Sequence, residues 1–290
     1  MNNNKPTVAA KGHDFIEAPR ISPEGDLWFS DLLKGGVMRR RAGEKTQCMI
    51  PGRKWVGGIL FDKSGNALCS GRGGIVALNP QTGALREVLS EIEGQPIIAV
   101  NDMEGDGRGG LFAGTIDFVS IFEKGEAPRP GLFFHLSAAG EVTILRRDVA
   151  ASNGIAASPC GKWLYHSETS RGIWRYPIGD DGMPGPGDLL IELQDSDGLA
   201  ADKDGCIWVA CWESSRVLRY SAEGELLSSM SPGYPHTVSL DFSATDSSVL
   251  YISTGGNADA PGCGAVLAMR VDTPGLPGPL TQLAMLENIS

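Results

Sequence analysis

The sequence predicts an all-β fold, a six-bladed β-propeller that occupies residues 1–290 as one domain. Three observations predict it: a turn-and-strand motif occurs six times, it returns about once per blade length, and the composition favours turns. The chain has 290 residues with 39 Gly and 18 Pro, and 41% of it is hydrophobic. Closed all-β folds often reach this length as one domain. In a hydrophobic chain, this Gly and Pro content is typical of many short strands joined by turns.

The repeated unit is a turn of Asp, Ser, Pro and Gly, followed at once by an apolar or aromatic strand. Its copies begin near residues 22, 62, 105, 158, 202 and 243, and the sixth is degenerate. Successive marker glycines are 40, 44, 52 and 44 residues apart: Gly25, Gly65, Gly109, Gly161 and Gly205. A four-stranded blade needs about 40–45 residues. A β-sandwich is the alternative, but it does not require the same motif six times.

The charge balance excludes several classes of partner. Lys and Arg number 25 against 35 Asp and Glu, a formal net charge of −10, and an acidic surface repels nucleic acids and anionic membranes. No run approaches membrane-spanning length, and the N-terminus has no apolar targeting segment. We therefore expect a cytoplasmic monomer or weak homo-oligomer that acts on a small molecule. The six cysteines fit neither a zinc pattern nor a disulfide framework, and are expected to be mostly free, buried thiols.

A polar residue recurs eight positions before the marker glycines. These positions hold Glu17, Gly57, Asn101, Asn153 and Asp197. Equivalent positions in successive blades lie around the propeller axis, so these side chains are expected to line the central tunnel. Asn-Gly and Asp-Gly are also common turn dipeptides, which is the alternative interpretation of the last two.

Carboxylates that converge in a narrow tunnel repel one another unless a cation lies between them. Two carboxylates with amide oxygens form an all-oxygen donor set, which suits Ca²⁺ or Mg²⁺ and can take Mn²⁺ or Zn²⁺. No His or Cys occupies these positions, which disfavours a dedicated zinc or copper site. The pattern therefore predicts one divalent metal ion on the axis.

Nearly the whole chain resembles the family of senescence marker protein (regucalcin), gluconolactonase and luciferin-regenerating enzyme. The resemblance is strongest in residues 101–115 (NDMEGDGRGGLFAGT), 152–165 (SNGIAASPCGKWLY) and 197–210 (DGLAADKDGCIWVA). It implies that the metal is held by Glu17, Asn153 and Asp197, the residues that the common offset had already selected. It also implies that Asn101 faces the substrate or a metal-bound water.

The chain departs from the family pattern at three places. Sugar-lactonase relatives often carry Arg two residues before the equivalent of Asn101, and this chain has Ala99. The first-blade motif reads Ile16-Glu-Ala-Pro instead of Gly-Glu-Gly-Pro, and the last blade lacks the usual Cys- and Gly-rich strand. The fold and the metal site are expected to survive these changes, whereas a sugar-acid lactone substrate does not follow.

The resemblance implies metal-dependent hydrolysis of a lactone by activated water. In this interpretation Asp197 accepts a proton during attack, and Asn101 orients the water or the oxyanion by hydrogen bonding. No Gly-x-Ser-x-Gly motif supports a serine-hydrolase route. Two alternatives stay open: a related metal-dependent enzyme that acts on another ester or strained ring, and a non-catalytic binding propeller braced by its ion.

The remaining candidates for substrate binding are Trp55, Phe118, Phe122 and His236. The segment 116–131 is expected to follow an inner strand and emerge at a tunnel mouth, where its apolar side chains form a wall or lid over the pocket. The alternative is that they pack against the neighbouring blade. On the first interpretation, apolar or aromatic lactones are preferred over sugar lactones. His236 lies near the tunnel offset of the degenerate sixth blade, as an acid, a substrate contact or a plain turn residue.

Overall fold

The computed structural model describes residues 5–256, 262–287 and 289. Its strands form six antiparallel sheets, here called blades 1 to 6 in chain order; five have four strands, and the third has a short fifth strand. From the inner to the outer strand, blade 1 contains Ile16–Ile21, Leu27–Asp31, Gly36–Arg40 and Gln47–Pro51. Blade 2 contains Ile59–Phe61, Ala67–Cys69, Ile75–Leu78 and Leu85–Leu89. Blade 3 contains Ala99–Gly105, Leu111–Thr115, Gly131–Leu136 and Val142–Val149.

The other three blades repeat this plan. Blade 4 contains Ser152–Ala157, Trp163–Glu168, Gly172–Pro177 and Asp188–Glu192. Blade 5 contains Ser196–Ala201, Ile207–Cys211, Arg216–Tyr220 and Leu226–Met230. Blade 6 contains Thr237–Phe242, Val249–Thr254 and Gly264–Arg270, and its outer strand is the N-terminal Thr7–His13. Pairing of the N-terminal strand with the last blade ties the two ends of the ring together.

Short elements lie between and beside the blades. The two-residue strand Gly71–Arg72 pairs with the inner strand of blade 3, and Glu91–Ile92 pairs with Gln95–Pro96 between blades 2 and 3. A π-helix spans Val119–Lys124 and a 3₁₀-helix spans Ala284–Leu286. None of the described helices is long and apolar enough to cross a membrane.

The inner strands form a closed ring. Each contacts the inner strands of the two neighbouring blades, including the contact between blades 6 and 1. Hydrophobic clusters fill the spaces between adjacent blades; Leu68 and Phe134, for example, join blades 2 and 3. This arrangement confirms the predicted six-bladed propeller, because a β-sandwich has neither the ring nor the equivalent interfaces.

The sequence motif corresponds to the turn between the inner and second strands of a blade. All five marker glycines have positive φ, between +68° and +98°. Four of them, Gly25, Gly65, Gly161 and Gly205, donate a backbone hydrogen bond to the residue three positions earlier. A side chain at these φ values would strain the turn, which explains why glycine recurs there.

The C-terminal segment crosses the end of the tunnel opposite the starts of the inner strands; we call this end the base and the other end the mouth. Leu276 N–H donates to Ala201 O in blade 5, and Thr281 N–H donates to Phe61 O in blade 2, both at 3.0 Å. Between them, Pro277 and Pro279 help to line a cavity of about 200 Å³. The chain terminus therefore covers the base.

Candidate functional site

The predicted site residues lie where the inner strands depart from regular pairing. The register with the second strand is interrupted in blades 1, 3, 4 and 5 between the pairs Glu17/Arg20, Val100/Met103, Ser152/Ile155 and Ser196/Leu199. Asn101, Asn153 and Asp197 lie inside these interruptions, and Glu17 is the last paired residue before one. Irregularities of this kind re-aim side chains and are common beside active sites. The common sequence offset therefore marks one structural position in each of these four blades.

Close backbone approach explains the glycines beside these residues. Gly154 and Gly198 lie within strands, not in turns, so the turn-dipeptide interpretation is wrong for both. A Cβ at Gly154 would collide with the backbone of Leu199, and one at Gly57 would collide with Oδ1 of Asn101. The inner strands pack too closely at this level of the tunnel for any side chain there.

A chain of hydrogen bonds links three blades and fixes Asn153. Asn101 Nδ2 donates to Asn153 Oδ1 at 2.7 Å, and Asn153 Nδ2 donates to Thr169 Oγ1 at 2.7 Å. Thr169 Oγ1 in turn donates to Ser196 O at 2.5 Å, next to Asp197. Both ends of the Asn153 amide are therefore held, and one lone pair of its Oδ1 stays available to a ligand.

This network gives Asn101 a positioning role. Besides the bond to Asn153, its Nδ2 donates to Ser152 O at 2.8 Å. Both amide hydrogens are thus occupied, so none remains for an oxyanion in this arrangement. The contact that the structure records for Asn101 is one that orients Asn153.

Two carboxylates at the mouth end of the tunnel, Glu17 and Asp197, have a raised proton affinity. Burial, followed by the charges of Asp197 and Asp102, raises the pKa of Glu17 well above its usual value. Burial, followed by the charges of Asp102 and Asp195, raises the pKa of Asp197 in the same direction. No cationic side chain is among the causes for either group, so the excess negative charge is uncompensated by the protein.

A second charged group lies deeper in the tunnel, toward the base. Arg20 forms ion pairs with Asp241 at 2.9 Å and with Glu104 at 3.2 Å. Burial raises the pKa of Asp102 and of Glu104 to about 7, although the charge of Arg20 opposes the rise in both. For Arg20, burial lowers the pKa, but Asp241, Glu104 and Asp102 together raise it above its ordinary value. One buried cation therefore faces three buried carboxylates.

The sequence motifs do not predict this deeper group, although two of its members share a spacing from the site positions. Arg20 and Glu104 each lie three residues after a site position, Glu17 and Asn101, so a second offset would have found both. Asp241 lies in the degenerate blade, where no marker glycine sets the count. Asp102 directly follows a site residue and carries no repeat signal of its own.

The donor set fits a hard divalent cation. Glu17 and Asp197 supply carboxylates that lack a protein counterion, and Asn153 supplies an amide oxygen whose direction is fixed. Within residues 5–256, 262–287 and 289, no three His, Cys, Asp or Glu side chains form a metal-binding group. Two carboxylates completed by amide oxygens make an all-oxygen set, which suits Ca²⁺ or Mg²⁺ better than softer ions.

The mouth has an apolar side built from equivalent positions. Phe15, Trp55, Ala99 and Ala151 each lie two residues before a position of the common offset, and all belong to one hydrophobic cluster with Phe118. The segment 116–130 follows Leu111–Thr115, the second strand of blade 3, so its predicted origin in an inner strand is wrong. The second strand nevertheless ends at the mouth, because it runs antiparallel to the inner strand.

The aromatic candidates are mainly packed against one another. Trp55 is 2% exposed and Phe118 is 5% exposed, with ring centroids 5.8 Å apart. Phe122 stacks on Phe118 at 5.1 Å and is 40% exposed. Packing between blades, the alternative from the sequence, therefore describes Trp55 and Phe118. Of the three, Phe122 presents the most surface to solvent.

His236 lies at the mouth between the blades that carry Asp197 and Glu17. It directly precedes the inner strand of blade 6, which contacts the inner strands of blades 5 and 1. Its Nδ1 lies 3.1 Å from Trp212 O, and its ring stacks on Trp212 at 5.0 Å. The backbone φ is +55°, a strained value held by a hydrogen bond from His236 N–H to Ser215 Oγ at 2.9 Å. Such strain is often retained at functional sites.

The cysteine expectation is partly met. Cys69, Cys206 and Cys211 are buried thiols, whereas Cys48 and Cys160 are exposed. Cys211 ends the strand Ile207–Cys211, and Cys206 directly precedes that strand.

Replacing Thr169 with Val should weaken binding of a divalent cation by about 10–100-fold, the usual scale for losing a group that orients a ligand. The change keeps the shape but removes the hydroxyl that accepts from Asn153 and donates to Ser196 O. Thr169→Ser, which retains the hydroxyl, is the matched control. Calorimetric titration of Ca²⁺ into both variants measures the effect, and equal affinities would remove Thr169 from the site.

The cation-free protein should lose stability as the pH rises from about 6 to 8. Asp102 and Glu104 have pKa values of about 7 in the folded chain and about 4 when unfolded, so the folded state holds protons that the unfolded state releases. His166, whose pKa burial lowers to about 3, acts in the opposite direction, but only below about pH 6.5. Melting temperatures measured in chelator across this range test the sign, and a rise with pH would contradict it.

Comparison with known proteins agrees with this geometry. The sequence profile of the SMP-30/Gluconolactonase/LRE-like region matches residues 15–256, which include all four site residues and every inner strand. The chain belongs to this family. A family relative, the 6-deoxy-6-sulfogluconolactonase of Pseudomonas putida, is 32% identical over 88% of this chain and 90% of its own length.

Solved structures of the family share the fold. A calcium-binding protein, regucalcin, from Agrobacterium tumefaciens aligns with a TM-score of 0.84 and 23% identity, over 97% of this chain and 98% of that chain. A luciferin-regenerating enzyme aligns with a TM-score of 0.83 and 20% identity, over 96% and 100%. Both structures therefore share the fold of this chain over nearly its whole length.

Proposed function

We propose that this protein is a divalent-cation-dependent lactonase that opens the ring of a sugar-acid lactone. The observation that carries the proposal is the uncompensated pair of buried carboxylates, Glu17 and Asp197, beside the fixed amide of Asn153. Family membership supports the same activity, since a relative that aligns over nearly the whole chain is a lactonase.

The cation would be held by Glu17, Asn153 and Asp197. When bound, such an ion polarises a carbonyl oxygen and lowers the pKa of a water molecule in its coordination sphere. Ca²⁺ is the first candidate because the donors are all oxygen atoms and a structural neighbour is a calcium-binding protein. Mg²⁺, Mn²⁺ and Zn²⁺ are the other ions to test.

Protein side chains supply proton transfer, positioning of the metal ligand and contact with the substrate. Asp197, the more exposed of the two carboxylates, accepts the proton of the attacking water. Asn101 and Thr169 keep the Asn153 oxygen in place. His236 and Phe122, at the mouth, contact the substrate, while Trp55 and Phe118 support that surface from behind. Hydrolysis breaks the ring C–O bond and gives a carboxylate, a hydroxyl and one proton.

We infer the substrate class from the relatives and not from the aromatic residues at the mouth. The name of the Pseudomonas relative specifies a gluconolactone that carries a sulfonate, which favours a sugar-acid lactone here as well. Burial of Trp55 and Phe118 leaves less free apolar surface than a hydrophobic pocket requires. The preference for apolar lactones expected from the sequence is tested by the same assays.

Turnover of a lactone panel with and without metal tests the proposal. The purified protein, stripped with chelator, should hydrolyse gluconolactone and related sugar lactones only after a divalent ion is restored. Aromatic lactones and simple esters in the same panel distinguish the apolar alternative and a broader esterase. Metal binding without turnover of any substrate would favour the non-catalytic propeller, and turnover unaffected by chelator would contradict the role of the ion.

A further inference from the structure

We propose that Arg72 is a specificity-determining residue that binds a negatively charged substituent on the substrate lactone. This inference rests on the proposed lactonase function and concerns the end of the substrate that does not react. Arg72 lies on the short strand Gly71–Arg72, at the mouth and outside the set of residues that the sequence motifs selected.

Arg72 lies directly beside the inner strand of blade 3. The two-residue strand pairs with that inner strand, and the partner of Arg72 in the ladder is Ala99. Paired residues of an antiparallel ladder project from the same face. Arg72 therefore projects from the same face as Ala99, which is two residues before Asn101.

The guanidinium of Arg72 rests on a fixed aromatic surface. Its central carbon lies 4.6 Å from the centroid of the Trp55 ring, within the range of a cation–π contact. Trp55 is buried, has a φ of +62°, and donates its backbone N–H to Leu32 O at 2.9 Å. The fixed ring of Trp55 therefore gives the guanidinium a surface on which to stack.

Arg72 and the polar site are linked through Trp55. The guanidinium of Arg72 lies over the Trp55 ring, and Trp55 is two residues before Gly57, which lies against Oδ1 of Asn101. Arg72 is therefore placed to contact the non-reacting end of a lactone bound at the polar site.

The carboxylate that Arg72 contacts in this structure, that of Glu123, can be displaced by a substrate anion. Its Nη1 lies 2.9 Å from Oε1 of Glu123, which belongs to the π-helix Val119–Lys124. The two side chains are 52% and 45% exposed, and exposed ion pairs of this kind contribute little to stability. A carboxylate or sulfonate on the substrate can accept two N–H groups of the guanidinium in place of Glu123.

The experiment compares two lactones that differ only at carbon 6. Glucono-1,4-lactone is neutral, and glucaro-1,4-lactone is the same ring with a carboxylate at carbon 6. The wild-type protein is expected to prefer the charged lactone. In Arg72→Gln, kcat/KM for the charged lactone should fall by about tenfold or more through KM, the scale of losing one charge-assisted hydrogen bond, while the value for the neutral lactone stays within about twofold.

Two matched variants separate recognition from packing. Arg147→Gln breaks another exposed Arg–Glu pair, 2.7 Å long with side chains 60% and 58% exposed, and should leave both substrates unaffected. Glu123→Gln removes the competing carboxylate and should improve use of the charged lactone or leave it unchanged. Equal losses for both lactones in Arg72→Gln would assign Arg72 to packing of the mouth, and no loss for either would make it a plain surface residue; both results overturn the proposal.

Binding of the open-chain products gives a readout that does not need turnover. Calorimetry should show glucarate binding more tightly than gluconate to the wild-type protein, with the difference lost in Arg72→Gln and reduced by salt. If no lactone is hydrolysed but this difference appears, the lactonase function fails and the anion site stands. If turnover is present but neither substrate nor product shows the charge preference, the anion site fails alone.

Discussion

Replacing Glu17 with Gln together with Asp197 with Asn should abolish cation binding and lower lactone turnover by at least about a thousandfold. The two changes keep the size of both side chains and remove the two carboxylates that the protein leaves without a counterion. Losing a single electrostatic stabiliser of the transition state costs about 10²–10³ in kcat, and this double variant loses the cation itself. Elemental analysis after dialysis and steady-state kinetics measure the two effects.

Melting temperatures provide a second test, because the difference between the double variant and the wild type should change sign when Ca²⁺ is added. Without a cation, the double variant should melt at a higher temperature than the wild type, because two buried carboxylates no longer repel each other. With saturating Ca²⁺ the order should reverse, since only the wild type gains binding free energy. Glu44→Gln combined with Asp188→Asn, two exposed positions, alters the net charge equally and should change neither result. Stoichiometric metal in the double variant would contradict the proposed site.

Replacing Arg20 with Met should destabilise the fold by about 3–5 kcal/mol at pH 8, the usual cost of removing one partner from a buried ion pair. Arg20 is the cation that Asp241 and Glu104 contact directly, and Asp102 shares its charge. For a chain of this size, we expect the melting temperature to fall by roughly 10 °C. Arg147→Met, which breaks an exposed pair, should cost less than about 1 kcal/mol.

The pH dependence of this loss identifies its cause. Without Arg20 the three carboxyl groups have pKa values higher still, so at pH 5 they are protonated in the folded chain and no unpaired charge is buried. The melting temperatures of Arg20→Met and the wild type should therefore be closer at pH 5 than at pH 8. A deficit that is the same at both pH values would indicate lost packing instead of lost charge compensation.

The sequence alone determined the blade count, the turns and four members of the tunnel site. Five of the six blades require a glycine with positive φ between the inner and second strands, so the same pattern recurs along the chain, with a degenerate copy in blade 6. Glu17, Asn101, Asn153 and Asp197 share one offset from those glycines because they share one position in the blade. A backbone requirement that recurs once per blade can be recognised in a single sequence, because the same residue types return at a regular spacing.

Only the tertiary structure decided which residues complete the site and what each one contacts. Thr169 holds the Asn153 amide from the turn after the second strand of blade 4. Asp241 of blade 6 contacts Arg20 of blade 1, and Arg72 lies beside Ala99 although 27 positions separate them in the sequence. The role of Asn101 changed for the same reason, since its amide hydrogens meet Asn153 and Ser152 in the next blade. Contacts between blades depend on the closure of the ring, which places residues together irrespective of their spacing, and a hydrogen-bond partner supplied in this way has no periodic signal.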